Sequence, residues 1–93
     1  MDAAAGHAAG IAQEATREAR QKALDVGFVL NRTAAALEQS AKLAEEYAAR
    51  QARSGRPRAA AAERRAARRA HEASQLARAR AVRCVELGGE RMS

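Results

Sequence analysis

The segment Arg50-Gln51-Ala52-Arg53-Ser54-Gly55-Arg56-Pro57-Arg58 decides the fold, because it interrupts a chain that otherwise favours helix. It contains the only proline of the sequence. Gly55 can adopt the left-handed backbone conformation that ends a helix, and Pro57 suits the first turn of a new one. The segment therefore predicts a tight reversal between two helices.

The segments on either side of this reversal are rich in alanine and have helical periodicity. When each residue is turned by 100°, the apolar residues before the turn fall on one stripe of a helix, and those after it on another. Gly88-Gly89 is the expected stop of the second helix. The predicted domain organisation is a flexible N-terminal segment at 1–10, a helix at 11–53, a turn at 54–57, a helix at 58–87 and a tail at 88–93.

We expect the residues of the two predicted stripes to form the core between the helices. Folding the chain about Gly55 pairs positions whose numbers sum to about 111, so Leu30 should face Ala81 and Val26 should face Cys84 or Val85. Cys84 is accordingly interpreted as a small core residue. The first stripe is Ile11, Ala12, Ala15, Ala19, Ala23, Val26, Leu30, Thr33, Leu37, Ala41, Ala44, Tyr47 and Ala48. The second is Ala59, Ala62, Ala66, Ala70, Ala73, Ala77, Ala81 and Cys84.

The composition limits how stable a lone hairpin can be. Alanine supplies 28 of the 44 residues counted as apolar in this 93-residue chain, and burying a methyl group releases little free energy. Small domains also bury a small fraction of their surface. We therefore predict an all-α fold, with two long helices in an antiparallel hairpin that dimerises into a four-helix bundle.

The unequal lengths of the predicted helices point to where a partner would bind. The second helix ends opposite about Leu24, which leaves residues 11–22 without a neighbour in the hairpin. Leu24 and Phe28 lie one turn apart and off the main stripe, which is either normal scatter of apolar residues on a surface or a second contact face. The predicted partner-binding residues are Ile11, Ala15, Ala19, Leu24 and Phe28.

Charge is distributed unevenly, and this favours an alternative function. Residues 50–83 contain eleven arginines and only two acidic residues, within a chain of net charge +6. Such a helix is either a solvated face or a surface that contacts phosphates without reading sequence. A fainter alternative is a sensor that holds an anionic small ligand between Arg-lined helices. The residues assigned to nucleic-acid or anion binding are Arg64, Arg65, Arg68, Arg69, Arg78 and Arg80.

The remaining residues give no indication of catalysis. His7, His71 and Cys84 are isolated along the chain, and no Gly-rich phosphate loop or metal-binding spacing is present. We expect no cofactor, no metal, no signal peptide and no membrane span, and hence a cytoplasmic protein. The excess of 15 arginines over two lysines suggests a GC-rich, bacterial genome. The predicted function is a non-enzymatic protein–protein interaction module, a regulator or adaptor that acts as a homodimer.

Overall fold

The computed structural model describes residues 2–89 and confirms an all-helical protein of two helices packed against each other. Helix α1 is Asp2–Arg53 and helix α2 is Pro57–Gly89. They run antiparallel and form a rod of 81 × 16 × 14 Å. The long dimension is set by α1, since 52 residues at about 1.5 Å each span about 78 Å.

The turn between the helices has the geometry expected from Gly55 and Pro57. Gly55 has a φ of 71°, its N–H donates to the carbonyl of Ala52, and the N–H of Arg56 donates to the carbonyl of Gln51. These two bonds form a Schellman motif, which satisfies carbonyl groups that the end of α1 would otherwise leave without partners. Pro57 is the first residue of α2, where its missing N–H costs nothing.

Both helices are longer than the sequence predicted. Helix α1 begins at Asp2, nine residues before the expected start at Ile11, so the described part of the segment 1–10 is helical. Its alanines favour helix enough to outweigh Gly6 and Gly10. Helix α2 continues through Gly88 to Gly89 instead of ending at Leu87. Met1 and residues 90–93, which include most of the predicted tail, lie outside the described residues.

Small residues at seven-residue intervals form the seam between the helices. A Cβ atom added to Gly27 would lie 3.3 Å from Cβ of Cys84, and one added to Gly88 would lie 3.1 Å from Cγ of Leu24. Gly88 thus allows a close approach of the helices. The buried positions are Gly27, Ala34, Ala41 and Ala48 on α1, and Ala60, Ala67, Ser74, Ala77, Ala81 and Gly88 on α2.

The predicted core stripes were only partly right. On α1 the structure covers Ala41 and Ala48 fully and Leu30 partly, but Val26 and Tyr47 remain about half exposed. On α2, Ala77 and Ala81 are buried, whereas Ala62 and Ala73 are exposed. The seam therefore uses one edge of each stripe, because helices approach most closely along their smallest side chains.

The predicted register is confirmed, whereas the part of α1 that has no neighbour among residues 2–89 ends at Ala19 and not at residue 22. Gly27 faces Cys84, Gly88 faces Leu24 and Ser74 faces Glu38, so paired positions sum to 111 or 112. Gly88 also lies 3.5 Å, measured from its added Cβ, from the carbonyl oxygen of Arg20. The part of α1 that precedes Arg20 thus extends beyond α2. We call residues 2–19 the overhang.

Candidate interaction surfaces

A second apolar seam follows α1 along its outer side, next to the buried one. Its residues recur at alternating steps of three and four, which is the spacing of a coiled-coil contact line. All of them are exposed, including Val26 at 51%, Val29 at 60% and Tyr47 at 50%. Lys22 falls within the line, where a long side chain can carry its charge to solvent. We call this surface the outer strip: Ala12, Ala15, Ala19, Val26, Val29, Thr33, Ala36, Ser40, Leu43 and Tyr47.

The outer strip is richer in large apolar residues than the seam that holds the hairpin together. Every fully buried residue among those described is alanine, serine or glycine. The larger side chains Val26, Val29, Leu43 and Tyr47 all lie outside. The free energy released by burial rises with the apolar area removed from water. The hairpin therefore leaves exposed the side chains whose burial would stabilise it most.

The two broad faces of the hairpin differ in chemistry. One face carries the polar cluster of Glu38, Ser74 and Arg78, in which side chains of both helices meet. The outer strip lies on the other face. A shallow pocket lined by Ala15, Ala19 and Leu87 shows that this face continues onto α2. There the same three- and four-residue spacing gives an edge of Ala59, Ala62, Ala66 and Ala73, which is interrupted by Arg69.

The polar cluster joins α1 to α2 by hydrogen bonds between side chains. Arg78 donates from Nε to Oε1 of Glu38 at 3.1 Å, and its Nη2 lies 2.9 Å from Oε2. Ser74, which is fully buried, donates its hydroxyl to Oε1 of Glu38 at 3.2 Å. The hydrogen bond from Arg78, aided by its charge, lowers the pKa of Glu38 below its usual value of 4.5, although partial desolvation opposes the shift.

The structure divides the predicted partner-binding residues into two groups. Ile11, Ala15 and Ala19 are exposed on the overhang, with Ala15 and Ala19 in the outer strip and Ile11 one helical turn from Ala15. Leu24 instead lies towards the polar face, against Gly88 of α2. Phe28 is 64% exposed, and the guanidinium of Arg32 lies 6.0 Å from its ring centre. Leu24 and Phe28 therefore do not extend the surface formed by the other three.

The six arginines predicted to bind anions do not form one row. Arg78 is held by Glu38, and Arg80 lies more than two turns beyond Arg69 along α2. Arg64 and Arg68 line a shallow depression that also contains Glu45, Glu72 and His71. The densest basic region is instead the turn end of the rod, which we call the arginine tip. It comprises the exposed residues Arg50, Arg53, Arg56, Arg58, Arg64, Arg65, Arg68 and Arg69.

Neither a metal site nor a membrane span is found within residues 2–89. No group of three or more His, Cys, Asp or Glu side chains there is arranged to hold a metal ion. Neither helix is long and apolar enough to cross a membrane. The chain matches no protein-family model, and neither a curated protein nor a solved structure is significantly similar to it.

The sequence shows the outer strip only in part, because six of its ten residues belong to the predicted core stripe and the other four do not: Ala12, Ala15, Ala19, Val26, Thr33 and Tyr47 do, and Val29, Ala36, Ser40 and Leu43 do not. Val29, Ala36 and Leu43 recur every seven residues beside Val26, Thr33 and Ser40. Such a double line is a sign of two adjacent contact seams on one helix, of which a single neighbouring helix covers only one. Counting the width of the apolar face, as well as its period, would have found the second surface.

Proposed function

We propose that this protein is a non-enzymatic helical interaction module, a small regulator or adaptor, that acts as a homodimer assembled through the outer strip. The supporting observation is the inversion of the core, with small residues buried between the helices and Val26, Val29, Leu43 and Tyr47 exposed. A second copy that covers this strip would complete an antiparallel four-helix assembly.

In the proposed dimer, a two-fold axis relates the two copies and crosses α1 midway between Val26 and Val29. This point is also the midpoint of α1. An antiparallel pairing about this point sets Val26 of one copy against Val29 of the other, twice. It also brings Asp25 within about 3 Å, along the helix axis, of the level of Arg32 of the second copy on both sides of the dimer axis. Opposite charges at such flanking positions specify orientation and register in coiled coils.

This arrangement also gives the overhang a neighbour. With the α1 helices antiparallel and fully overlapping, the overhang of one copy lies against the turn half of the other. Ala12 comes opposite Leu43, and Ala19 comes opposite Ala36. In that half, Ala59, Ala62 and Ala66 of α2 offer a second wall of small side chains for the overhang.

The area of the strip is sufficient for a specific interface. From Ala12 to Tyr47 the strip is about 50 Å long, and at a helix width of about 10 Å it offers about 500 Å² on each copy. Contact with Ala59, Ala62 and Ala66 of α2 adds to this and brings the total buried on both copies above about 1,000 Å², the lower range of biological interfaces.

A single charge in the strip tests the proposal. Val26→Asp places two carboxylates, one from each copy, at the centre of the interface. It should lower the affinity of dimerisation by at least about 100-fold, so that the variant is a monomer at protein concentrations from about 1 to about 100 μM. The measurement is mass by light scattering or sedimentation equilibrium, with circular dichroism to show that helix content is retained.

Val82→Asp is the matched control, since Val82 is similarly exposed but faces outward on α2. It should leave the dimer intact. The proposal is wrong if the unaltered protein is still monomeric at about 100 μM, or if both substitutions dissociate the dimer equally. Asp25→Arg should weaken the dimer, and adding Arg32→Asp should restore it.

A further inference from the structure

We infer that the arginine tip is a second, separate binding surface, and that its partner is the phosphate backbone of double-stranded nucleic acid, bound without regard to sequence. This inference rests on the charge at the turn end of the rod and not on the outer strip. It can therefore succeed or fail independently of the proposed dimer.

The tip combines a high density of positive charge with little internal compensation. Residues 50–69 hold eight arginines and one acidic residue, Glu63, which is only partly exposed. The ion pair found among residues 2–89 joins Arg78 to Glu38, outside the tip. Glu45 and Glu72 share a depression with Arg64 and Arg68, so Arg53, Arg56, Arg58, Arg65 and Arg69 carry most of the uncompensated charge.

The side chains between these arginines exclude an apolar mode of binding. Within residues 50–69 the apolar side chains are those of alanine and of Pro57 at the turn. A membrane-surface helix needs bulky apolar groups to enter the acyl region, and a protein interface needs buried aromatic or aliphatic anchors. The tip therefore offers a partner mainly positive charge and N–H donors. Guanidinium groups that offer both suit phosphate oxygens, which accept two parallel hydrogen bonds.

Duplex is favoured over single strands because the tip has no stacking platform. Non-specific single-strand binding depends on aromatic side chains against which bases stack. His71, beside Arg64 and Arg68, is hydrogen-bonded to Gln75, and the guanidinium of Arg50 lies 5.4 Å from the ring centroid of Tyr47. Neither ring belongs to a row of aromatic side chains along which successive bases could stack. A duplex presents regularly spaced phosphates on its outside, which a rigid helix end bearing arginines can contact without unstacking any base.

The test is fluorescence anisotropy with two labelled duplexes of unrelated sequence, titrated with the full chain from about 50 to 200 mM salt. We expect equal affinity for both duplexes and a linear fall of log affinity with log salt. The double variant Arg58→Gln/Arg65→Gln should reduce the salt slope by about 2 and the affinity by about tenfold. Glutamine has nearly the same helix propensity as arginine, so the fold should be retained.

Arg80→Gln/Arg83→Gln is the matched control, because it removes the same charge from exposed positions of α2 outside the tip. If the control pair lowers affinity and slope as much as the tip pair, binding reflects overall charge and the inference is wrong. It is equally wrong if no duplex binds at about 50 mM salt, or if single strands bind more tightly. Binding to vesicles containing phosphatidylserine, with none to duplex, would also overturn it. Repeating the titration with Val26→Asp separates this inference from the proposed dimer, since each tip should still bind.

Discussion

At the scale of single residues, Glu38 makes the polar contacts between the two helices that favour the register set by the turn. The seam consists of alanine, glycine and one serine, whose small side chains differ little in size and therefore discriminate weakly between registers by packing alone. Glu38 breaks this equivalence by accepting hydrogen bonds from both Ser74 and Arg78. A polar contact of this kind specifies register even where it adds little to stability.

The lowered pKa of Glu38 gives a test of this role with a defined sign. A carboxyl group whose pKa is lower in the folded state stabilises the protein above its unfolded pKa, and that stabilisation is lost as pH falls through the folded value. The unaltered protein should therefore exceed Glu38→Gln in melting temperature at pH 7. The difference should close as the pH is lowered below 4.5.

Thermal melts at fixed protein concentration between pH 7 and pH 3 measure this difference. Glu46→Gln serves as the control, since Glu46 is exposed and has no bond to α2; its effect should stay within about 0.5 kcal/mol at all pH values. If the difference in melting temperature between Glu38→Gln and the unaltered protein does not change with pH, the charge of Glu38 is not what stabilises the hairpin.

At the scale of the helices, the turn was predictable from sequence but the buried face was not. Gly55 and Pro57 have conformational preferences that few other residues share, so they located the reversal and the register. The buried face is marked by small size, and Gly27, Ser74 and Gly88 are not hydrophobic. Hydrophobic periodicity therefore favoured Val26 and Tyr47 for the core. A search for small residues every seven positions would have found Ala34, Ala41 and Ala48 together with Gly27.

The dependence of the turn on Gly55 can be measured directly. Gly55→Ala should destabilise the hairpin by about 1 kcal/mol, because an L-residue pays about that much to adopt a positive φ. No atom lies within 4 Å of an added Cβ at this position, so the cost comes from the backbone alone. Gly55→Asn should cost less, since asparagine tolerates the left-handed region.

Urea unfolding at one protein concentration would give both free energies. Gly6→Ala is a useful contrast, because Gly6 lies inside α1 with open space around it and should gain up to about 1 kcal/mol of helix propensity. Equal destabilisation by alanine and asparagine at position 55 would mean that backbone conformation is not what the glycine provides.

At the scale of the whole molecule, the unequal lengths of α1 and α2 mean that different modes of dimerisation give assemblies of different overall length. A single chain has a radius of gyration of 22.1 Å and a length of 81 Å. If the α1 helices overlap fully about the axis between Val26 and Val29, the dimer doubles in mass while its length barely changes. Two chains joined only through their overhangs would instead measure about 135 Å, since the shared part is about 27 Å long.

Small-angle X-ray scattering distinguishes these arrangements by the maximum dimension. We expect a maximum dimension of about 80–90 Å together with the mass of a dimer, because fully overlapping α1 helices are no longer than one α1 helix at about 1.5 Å per residue. A maximum dimension near 135 Å would contradict pairing through the outer strip, even if the mass were that of a dimer. Full overlap also puts one arginine tip at each end of the assembly, about 80 Å apart. The same dimer should therefore hold two duplexes at once, and Val26→Asp should bind each duplex singly while losing the ability to join them.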